Sequence, residues 1–421
     1  MMKRRYLGMS RPLALWTTVV AAFAAGVLIE RYQYLLVPDH APPGVEKTFR
    51  PFWEVWNLAD RYYVDHSAVQ PERMTHGAIH GMLASLGDVG HTSYRTKSEF
   101  AQEESRLAGN MEGIGAMIGL RERRPTIVST FSGSPARAAG LKGGDVLLEV
   151  DGKSVGNLAL DRITSMVRGA PGTTVKLRIQ RKGEPKALDL AIARATVDVP
   201  DVTWRLLPGL PIAHIAIESF GKQAHSQLKE ALAGAKRQGA RGLILDVRAD
   251  SGGFKEQAVA VASEFLKDGD VFIERDGKDH RTPVAVVPGG TALDIPVCVL
   301  IDIGTASSAE IFAGAIQDHG RGKLIGTRTF GTGTVLQPFR LSDDSVVLLA
   351  VYEWLTPNGR SIWRQGIVPD INVALPADAF MEFPEQESHQ TAEELAKSPD
   401  KQLLKGIEAL KGVLGTSAAG G

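Results

Sequence analysis

The sequence predicts an α/β fold, because apolar strands and helices alternate over much of its second half. Apolar segments at 212–217, 242–248 and 297–301 are followed by helical spacing at 227–238, 256–266 and 308–317. A second observation is length: 421 residues suffice for two or three domains of roughly 100–200 residues each. A third is that residues 112–197 carry the pattern of a separate, mostly β module.

The N-terminus has the pattern of a membrane anchor. Lys3, Arg4 and Arg5 precede an uncharged run from Pro12 to Ile29. As a helix rising ~1.5 Å per residue, this run nearly spans a ~30 Å hydrocarbon core. The positive flank predicts a cytoplasmic N-terminus and an exported body. The stretch 22–24 resembles a signal-peptide cleavage site, but the apolar run continues past it, so an uncleaved anchor is the preferred prediction.

The chain divides by pattern into six parts. An anchor segment (1–31) and a proline-containing linker (32–50) precede a segment with helical spacing (51–111). The module at 112–197 contains short helices at 134–141 and 160–167 and an alternating strand at 175–179. Residues 198–375 are the predicted α/β core, and residues 376–421 are a polar tail with a helix at 400–413.

Composition and motif spacing exclude several classes of function. Lys and Arg together number 48, as do Asp and Glu, so the balanced charge does not support a nucleic-acid partner. The histidines lack His-Glu-x-x-His or paired-cysteine spacing, so no metal site is predicted, and the glycine-rich runs lack the P-loop lysine. We therefore expect no cofactor. The single cysteine, Cys298, excludes an internal disulfide.

The most informative motif is the run at 304–315, where a serine stands between an apolar strand and a helix. The N–H groups of a helix start can stabilise an oxyanion. Ser307 is the candidate nucleophile and Ser308 is the fallback. A helix-capping serine without a catalytic role would have the same local pattern.

These residues resemble the carboxyl-terminal processing, or tail-specific, serine peptidases. In that family the nucleophile lies in a Ser-Ala-Ser-Ala-Ser-Glu-Ile type run, and alignment on Glu310-Ile311 places it at Ser307. The family base is the lysine of Phe-Gly-Lys-Gly-(Ser/Thr)-Val-Gln. In this chain Thr332 stands at the lysine position, and a threonine cannot act as a base at neutral pH.

The resemblance covers about residues 51–375 and implies a layered, ClpP/crotonase-like peptidase core with an inserted PDZ domain and an N-terminal helical segment. The run 246–253 is similar to the family's Asp-Leu-Arg-x-Asn-x-Gly-Gly. It implies an oxyanion hole made by the N–H of Gly252 or Gly253 together with that of Ser308.

The module at 112–197 is similar to a circularly permuted PDZ domain. In such domains the loop Gly113-Ile114-Gly115-Ala116 would bind the terminal carboxylate of a peptide. The adjacent strand edge would pair with the peptide backbone.

The lysine substitution requires a different base, and His91 is the candidate. It lies in a glycine-flanked loop at 87–92, and related tricorn and retinoid-binding-protein-like hydrolases carry a Gly-His-Thr type loop and use a histidine with the serine. Imidazole has a pKa near 6.5 and is mostly neutral at pH 7. The preferred prediction is a Ser307–His91 pair oriented by Glu353, with Asp88 as the alternative orienting residue.

Taken together, these patterns predict a single-pass, membrane-anchored extracytoplasmic serine endopeptidase. Its PDZ domain would bind free C-termini of exported proteins, which the core processes or degrades. Two alternatives stay open: a catalytically inactive PDZ-containing binding or adaptor protein, and a serine hydrolase that does not act on peptides. A homo-oligomer and an activating adaptor also stay open as partners.

Overall fold

The computed structural model describes residues 43–418 except for short gaps at 89–90, 122–123, 132, 157, 182, 377–378, 380 and 385–389. The predicted anchor at 12–29 lies outside the described residues. Within the described part, none of the helices combines the length and the apolar character needed to cross a bilayer. The chain forms two compact units. One contains the residues up to Lys97 and Gln337–Leu349, and the other contains Ser98–Leu336 and the residues from Ala350 onward.

Ten α-helices lie in the described residues, with a short 3-10 helix at His66–Ala68 after the first. They are α1 Glu46–Tyr62, α2 Pro71–Ala84, α3 Lys97–Leu107, α4 Pro135–Ala138, α5 Leu160–Val167, α6 Ala224–Arg237, α7 Lys255–Ser263, α8 Ser308–Asp318, α9 Ala392–Ala396 and α10 Lys401–Ala418.

Nineteen strands lie in the same residues. They are β1 Ser93–Arg95, β2 Asn110–Gly113, β3 Ala116–Arg121, β4 Arg124–Thr130, β5 Val146–Val150, β6 Lys153–Ser154, β7 Thr174–Gln180, β8 Leu188–Ala193, β9 Ala195–Asp198, β10 Val202–Leu206, β11 Ile212–Ile217, β12 Gly242–Asp246, β13 Asp270–Arg275, β14 Arg281–Ala285, β15 Val297–Ile301, β16 Gly322–Gly326, β17 Thr334–Arg340, β18 Val346–Leu355 and β19 Ile371–Asn372.

The first unit contains the predicted N-terminal helical segment. Helix α1 begins at Glu46, inside the stretch predicted to be linker. The helical spacing at 51–86 belongs to two helices, since Pro71 has no N–H and starts α2 at its first turn. Strand β1 pairs antiparallel with the first half of β18. Its buried Tyr94 packs against the rings of His76 and His80 on α2, at 5.0 and 5.6 Å between ring centroids.

In the second unit, residues 110–198 form the predicted β module. The antiparallel pair β2–β9 joins it to the core, with Asn110 opposite Asp198. Inside, the strand order is β3-β4-β5-β7-β8, with β6 paired to β5. The Ser134 hydroxyl accepts the N–H of Arg137 at 3.2 Å, which confirms the predicted serine cap of α4. An apolar core of its own, including Ile127, Leu147 and Ile163, makes this module a separate domain.

The α/β core is a six-stranded sheet in the order β10-β11-β12-β15-β16-β19, parallel except for the pair β10–β11. Residues 243, 245, 297, 299 and 301 face one apolar cluster, which includes α6, α7 and α8. Residues 244, 298 and 300 face another, which includes Leu403, Ile407 and Leu410 of α10. With helices on both faces, every residue of β11, β12 and β15 is buried, as expected for a parallel sheet.

A buried ionic cluster joins the C-terminal tail to this sheet. The Arg248 guanidinium, 2% exposed, lies 2.6 Å from the Asp246 carboxylate and 2.9 Å from that of Asp400. Burial opposes ionisation, but the charge of Arg248 and a hydrogen bond with His214 hold the pKa of Asp246 well below its usual range. The cluster fixes the start of α10 beside the end of β12.

Candidate active site

Three neighbouring parallel strands deliver the candidate site residues to one edge of the core sheet. Strand β12 ends at Asp246, β15 at Ile301 and β16 at Gly326. Asp246 pairs with Leu300, and Ile301 pairs with Gly326, so the strand ends are level. The loops that follow hold the glycine pair, the candidate nucleophile and Thr332. This is the edge at which open α/β sheets place ligands.

Hydrogen bonds tie the first two of these loops together. Oδ1 of Asp302 accepts the N–H groups of Ala249, Gly304 and Thr305, at 2.9, 2.9 and 3.1 Å. The Thr305 hydroxyl donates to the carbonyl oxygen of Val247 at 2.7 Å. The N–H of Ala306 donates to the carbonyl oxygen of Asp250 at 2.9 Å. The turn before Ser307 is therefore fixed against the loop after β12.

Ser307 has an unusual backbone conformation, with φ 54° and ψ −122°. A residue other than glycine at such angles is strained by about 1–3 kcal/mol, and the surrounding structure must hold it there. Ser307 is partly exposed, whereas Ala306 before it and Ser308 after it are buried. A strained serine between strand β15 and helix α8 is the arrangement that presents a nucleophilic hydroxyl at a sheet edge.

Ser308, the fallback nucleophile, has a different role in the structure. Its hydroxyl donates to the carbonyl oxygen of Gly253 at 3.0 Å, and its side chain is buried. This contact joins the start of α8 to the glycine pair. The geometry therefore favours Ser307 over Ser308 as the reacting hydroxyl.

The two glycines differ in what their N–H groups do. The Gly252 N–H donates to Oδ1 of Asp250 at 2.7 Å. Across the part of the chain that the structure describes, the N–H groups of Gly253 and Ser308 have no acceptor. A Cβ at Gly252 would lie 2.9 Å from the Ser308 nitrogen, so the glycine loop lies directly against the start of α8. Of the three predicted donors, Gly253 and Ser308 therefore keep N–H groups available to an oxyanion, whereas Gly252 does not.

Thr332 stands at the lysine position of the motif and contacts the candidate nucleophile, Ser307. Its Oγ1 accepts the N–H of Ser307 at 2.6 Å and donates to Oε2 of Glu310 at 2.6 Å. Thr332 is buried. The Thr332 hydroxyl therefore bridges the Ser307 backbone and the Glu310 carboxylate.

His91 lies in the first unit, in a partly buried loop. Burial lowers the pKa of its imidazole, and the negative charge of Asp88 raises it in partial compensation. The Asp88 carboxylate also accepts the N–H and hydroxyl of Thr92, at 3.1 and 2.6 Å. A lowered pKa keeps the imidazole neutral at pH 7, which a general base requires.

Glu353 lies in the second unit, on β18 opposite Arg275 of β13. Its carboxylate forms an ion pair with the Arg275 guanidinium and accepts the Ser361 hydroxyl at 2.5 Å. Ser307 is in the same unit as Glu353, whereas His91 is in the other. The pairing of Ser307 with His91, and the orientation of His91 by Glu353 or Asp88, therefore stay predictions.

The predicted carboxylate-binding loop of the β module has the close packing that such a loop needs. Gly115 has φ +73°, and a Cβ there would lie 2.4 Å from the Cβ of Ser134. The Ile114 side chain is buried, and its carbonyl oxygen accepts the Ala136 N–H at 2.8 Å. The loop lies between β2 and β3, with no room for a side chain at Gly115. Its role as the binding site of a peptide carboxylate stays a prediction.

Sequence reasoning missed Glu310 and Asp302, which organise the site without being candidates for the chemistry. Glu310 served only to align the motif, although an acidic residue three positions after a capping serine is a known helix-start signal. The contacts of Asp302 join residues 53 positions apart, and no local pattern encodes that distance. Among the described residues, no group of three or more His, Cys, Asp or Glu side chains is arranged to hold a metal.

Comparison with known proteins identifies both domains. The model of peptidase family S41 matches residues 211–373, and that of the PDZ domain matches residues 112–192. The chain is 32% identical over 389 residues to the carboxy-terminal processing protease CtpB of Bacillus subtilis (strain 168), covering 90% of this chain and 80% of that protein. It is 32% identical over 366 residues to CtpA of the same strain, covering 87% and 77%.

A solved structure agrees with these relatives. The photosystem II D1 C-terminal processing protease matches with a TM-score of 0.50 and 28% identity, covering 78% of this chain and 94% of that one. A putative S41 protease from Bacteroides fragilis NCTC 9343 matches with a TM-score of 0.56 at 16% identity, which supports the fold alone. The names of these proteins do not support the alternative of a catalytically inactive binding protein.

Proposed function

Because the chain belongs to the carboxy-terminal processing proteases of peptidase family S41 and is a serine-type peptidase with a PDZ domain, we propose that it is a membrane-anchored, extracytoplasmic endopeptidase. In this proposal Ser307 is the nucleophile and His91 is the base. The observation that supports the site best is the strained Ser307 beside two N–H groups without an acceptor among the described residues. The substitution at Thr332 is the reason to propose a base other than lysine.

The proposed reaction begins with attack of the Ser307 hydroxyl on a peptide carbonyl carbon. The oxygen of the resulting tetrahedral intermediate carries a negative charge, which the N–H groups of Gly253 and Ser308 stabilise. One such donor is worth about 2.7–4 kcal/mol in the transition state. Expulsion of the amine leaves an acyl group on Ser307, and water then hydrolyses that ester and releases the second peptide.

His91 takes the proton of Ser307 and returns it to the leaving amine in this proposal. Its lowered pKa supports the assignment, because the neutral form that accepts the proton dominates at pH 7. Glu353 is the proposed orienting residue, with Asp88 as the alternative, since the charge of Asp88 already acts on the imidazole. Thr332 has no part in proton transfer because a hydroxyl is too weak a base.

The PDZ domain selects substrates in this proposal. The loop from Gly113 to Ala116 binds the C-terminal carboxylate of a protein, and the edge of β3 pairs with the residues before it. The core then cleaves an extended segment of the same chain. Substrates are therefore exported proteins with an accessible C-terminus.

Membrane anchoring rests on the sequence at 12–29 and its positive flank. It is tested by expressing the full chain beside a variant lacking residues 12–29. We expect the full chain to stay with membranes after an alkaline wash and the variant to be released. Release of the full chain by the same wash contradicts the anchor.

The catalytic assignment is tested with the full-length chain by hydrolysis of an unfolded protein, beside Ser307→Ala, His91→Ala and Ser308→Ala. We expect the first two variants to lose activity and the third to retain part of it. Normal cleavage by His91→Ala contradicts the histidine base but leaves the serine standing. Normal cleavage by Ser307→Ala contradicts the nucleophile. Circular dichroism on each variant shows that the fold is intact.

A further inference from the structure

Glu310 is a fully buried carboxylate that the proposed reaction does not use. It lies in the first turn of α8 and is 0% exposed. Ionised carboxylates are rarely buried so completely, because the loss of hydration must be offset by hydrogen bonds or by a cation. Among the described residues, the surroundings of Glu310 supply only hydrogen bonds.

Five donors converge on the two oxygens of Glu310. Oε2 accepts the N–H groups of Ser307 and Thr332, at 3.1 and 3.0 Å, and the Thr332 hydroxyl at 2.6 Å. Oε1 accepts the N–H of Gly331 at 2.7 Å and the hydroxyl of Thr329 at 2.5 Å. The carboxylate thus joins the start of α8 to the loop after β16.

The network restrains the backbone of the nucleophile directly. The Ser307 N–H points to both Glu310 Oε2 and Thr332 Oγ1, so its direction is fixed from two sides. The angle φ is the rotation about the N–Cα bond, so fixing the direction of this N–H helps to hold Ser307 at a φ of 54°. It is also thereby withheld from the oxyanion hole, which leaves that role to Ser308 and Gly253.

We propose that Glu310 is a positioning residue that sets the reactive conformation of Ser307 through its hydrogen bonds to the Ser307 N–H and to the N–H and hydroxyl of Thr332. The inference rests on the proposed role of Ser307 as nucleophile. It concerns geometry and not proton transfer, because both oxygens of Glu310 are occupied by donors.

The substitution Glu310→Gln tests this inference sharply. Backbone N–H groups face both sides of the carboxylate, with Gly331 on one side and Ser307 and Thr332 on the other. Whichever way the amide introduced by this substitution turns, its NH₂ group opposes an N–H that cannot rotate. A buried donor without an acceptor costs about 1–3 kcal/mol, which corresponds to roughly 5- to 150-fold in rate when it falls on the transition state.

The experiment is labelling of the full-length chain with a fluorophosphonate under pseudo-first-order conditions. It measures a rate constant and a final labelled fraction. We expect Glu310→Gln to label to the same final fraction as the wild type, with a rate constant about tenfold to a hundredfold lower. Peptide hydrolysis should show a similar fall in kcat with KM unchanged, since the PDZ domain is untouched.

Glu264→Gln is the matched control. Glu264 is also buried, and it accepts the N–H and hydroxyl of Thr291, at 2.9 and 2.6 Å, and contacts His225 Nε2 at 2.8 Å. Its hydrogen bonds reach neither Ser307 nor the loop after β16. We expect this variant to lose stability but to label at the wild-type rate.

Two results overturn the inference. In one, Glu310→Gln labels at the wild-type rate with a smaller final fraction, which shows a role in stability alone. In the other, Thr332→Val by itself labels at the wild-type rate, although it removes the hydroxyl that donates to Glu310 and keeps the side-chain shape. The second variant keeps the test decisive if Glu310→Gln does not fold. If the wild type is not labelled at Ser307, the proposed function fails, whatever the variants do.

Discussion

Replacement of Gly252 by alanine should slow catalysis about a hundredfold while the chain still folds. Gly252 has φ +96°, where an alanine costs about 1–2 kcal/mol. The added Cβ would also lie 2.7 Å from the Cβ of Ser307 and 2.9 Å from the nitrogen of Ser308. Carbon atoms in contact prefer about 3.5–4.0 Å, so Ser307 and the start of α8 must move by about 1 Å. A misplacement of that size costs about a hundredfold in rate.

Gly239→Ala is the control for this prediction. Gly239 has φ +84°, close to that of Gly252, but a Cβ there would meet nothing within 4 Å. Gly239→Ala should lose about 1–2 kcal/mol in urea unfolding and Gly252→Ala at least as much, but only Gly252→Ala should lose kcat/KM for an unfolded protein substrate. If the two variants keep kcat/KM values within about threefold of each other, the close contact is unimportant and the reasoning is wrong.

Three further predictions follow from the described contacts. If His91 is the base, kcat/KM should fall only as the pH drops below about 6.5, because burial lowers the pKa of His91 and the neutral form is the active one. A pH–rate profile in which activity already falls above pH 7 contradicts this. Gly115→Ala should abolish binding of C-terminal peptides, measured by calorimetry, because its Cβ would overlap Ser134. Fluorophosphonate labelling of Ser307 should stay normal. Unchanged peptide affinity contradicts the assignment of the loop. Asp400→Ala should lower the free energy of unfolding by about 3–5 kcal/mol, because it removes one partner of the buried Arg248; a loss below about 1 kcal/mol in urea unfolding contradicts this.

Much of the fold was predictable because its signals are local. The apolar runs at 212–217 and 297–301 are strands, and the run at 242–248 contains the strand Gly242–Asp246. The serine-capped helix of the PDZ domain starts where the sequence indicates. The predicted linker at 32–50 is too long at its C-terminal end, because α1 begins at Glu46 without a side-chain cap and no capping signal marks that boundary. Helix starts are predicted from capping residues in the sequence, and none stands before Glu46.

The sequence by itself determined the membership of the family, the serine at the start of α8 and the threonine in place of the lysine. These are statements about residues close together in the chain, and short motifs encode them. Tertiary structure alone decided which N–H groups are left for an oxyanion. That choice depends on the adjacency of β12, β15 and β16, which brings Asp250, Gly253 and Ser308 to one edge. It also decided the role of Glu310, since a carboxylate becomes a positioning group only where packing excludes water and distant loops supply its donors.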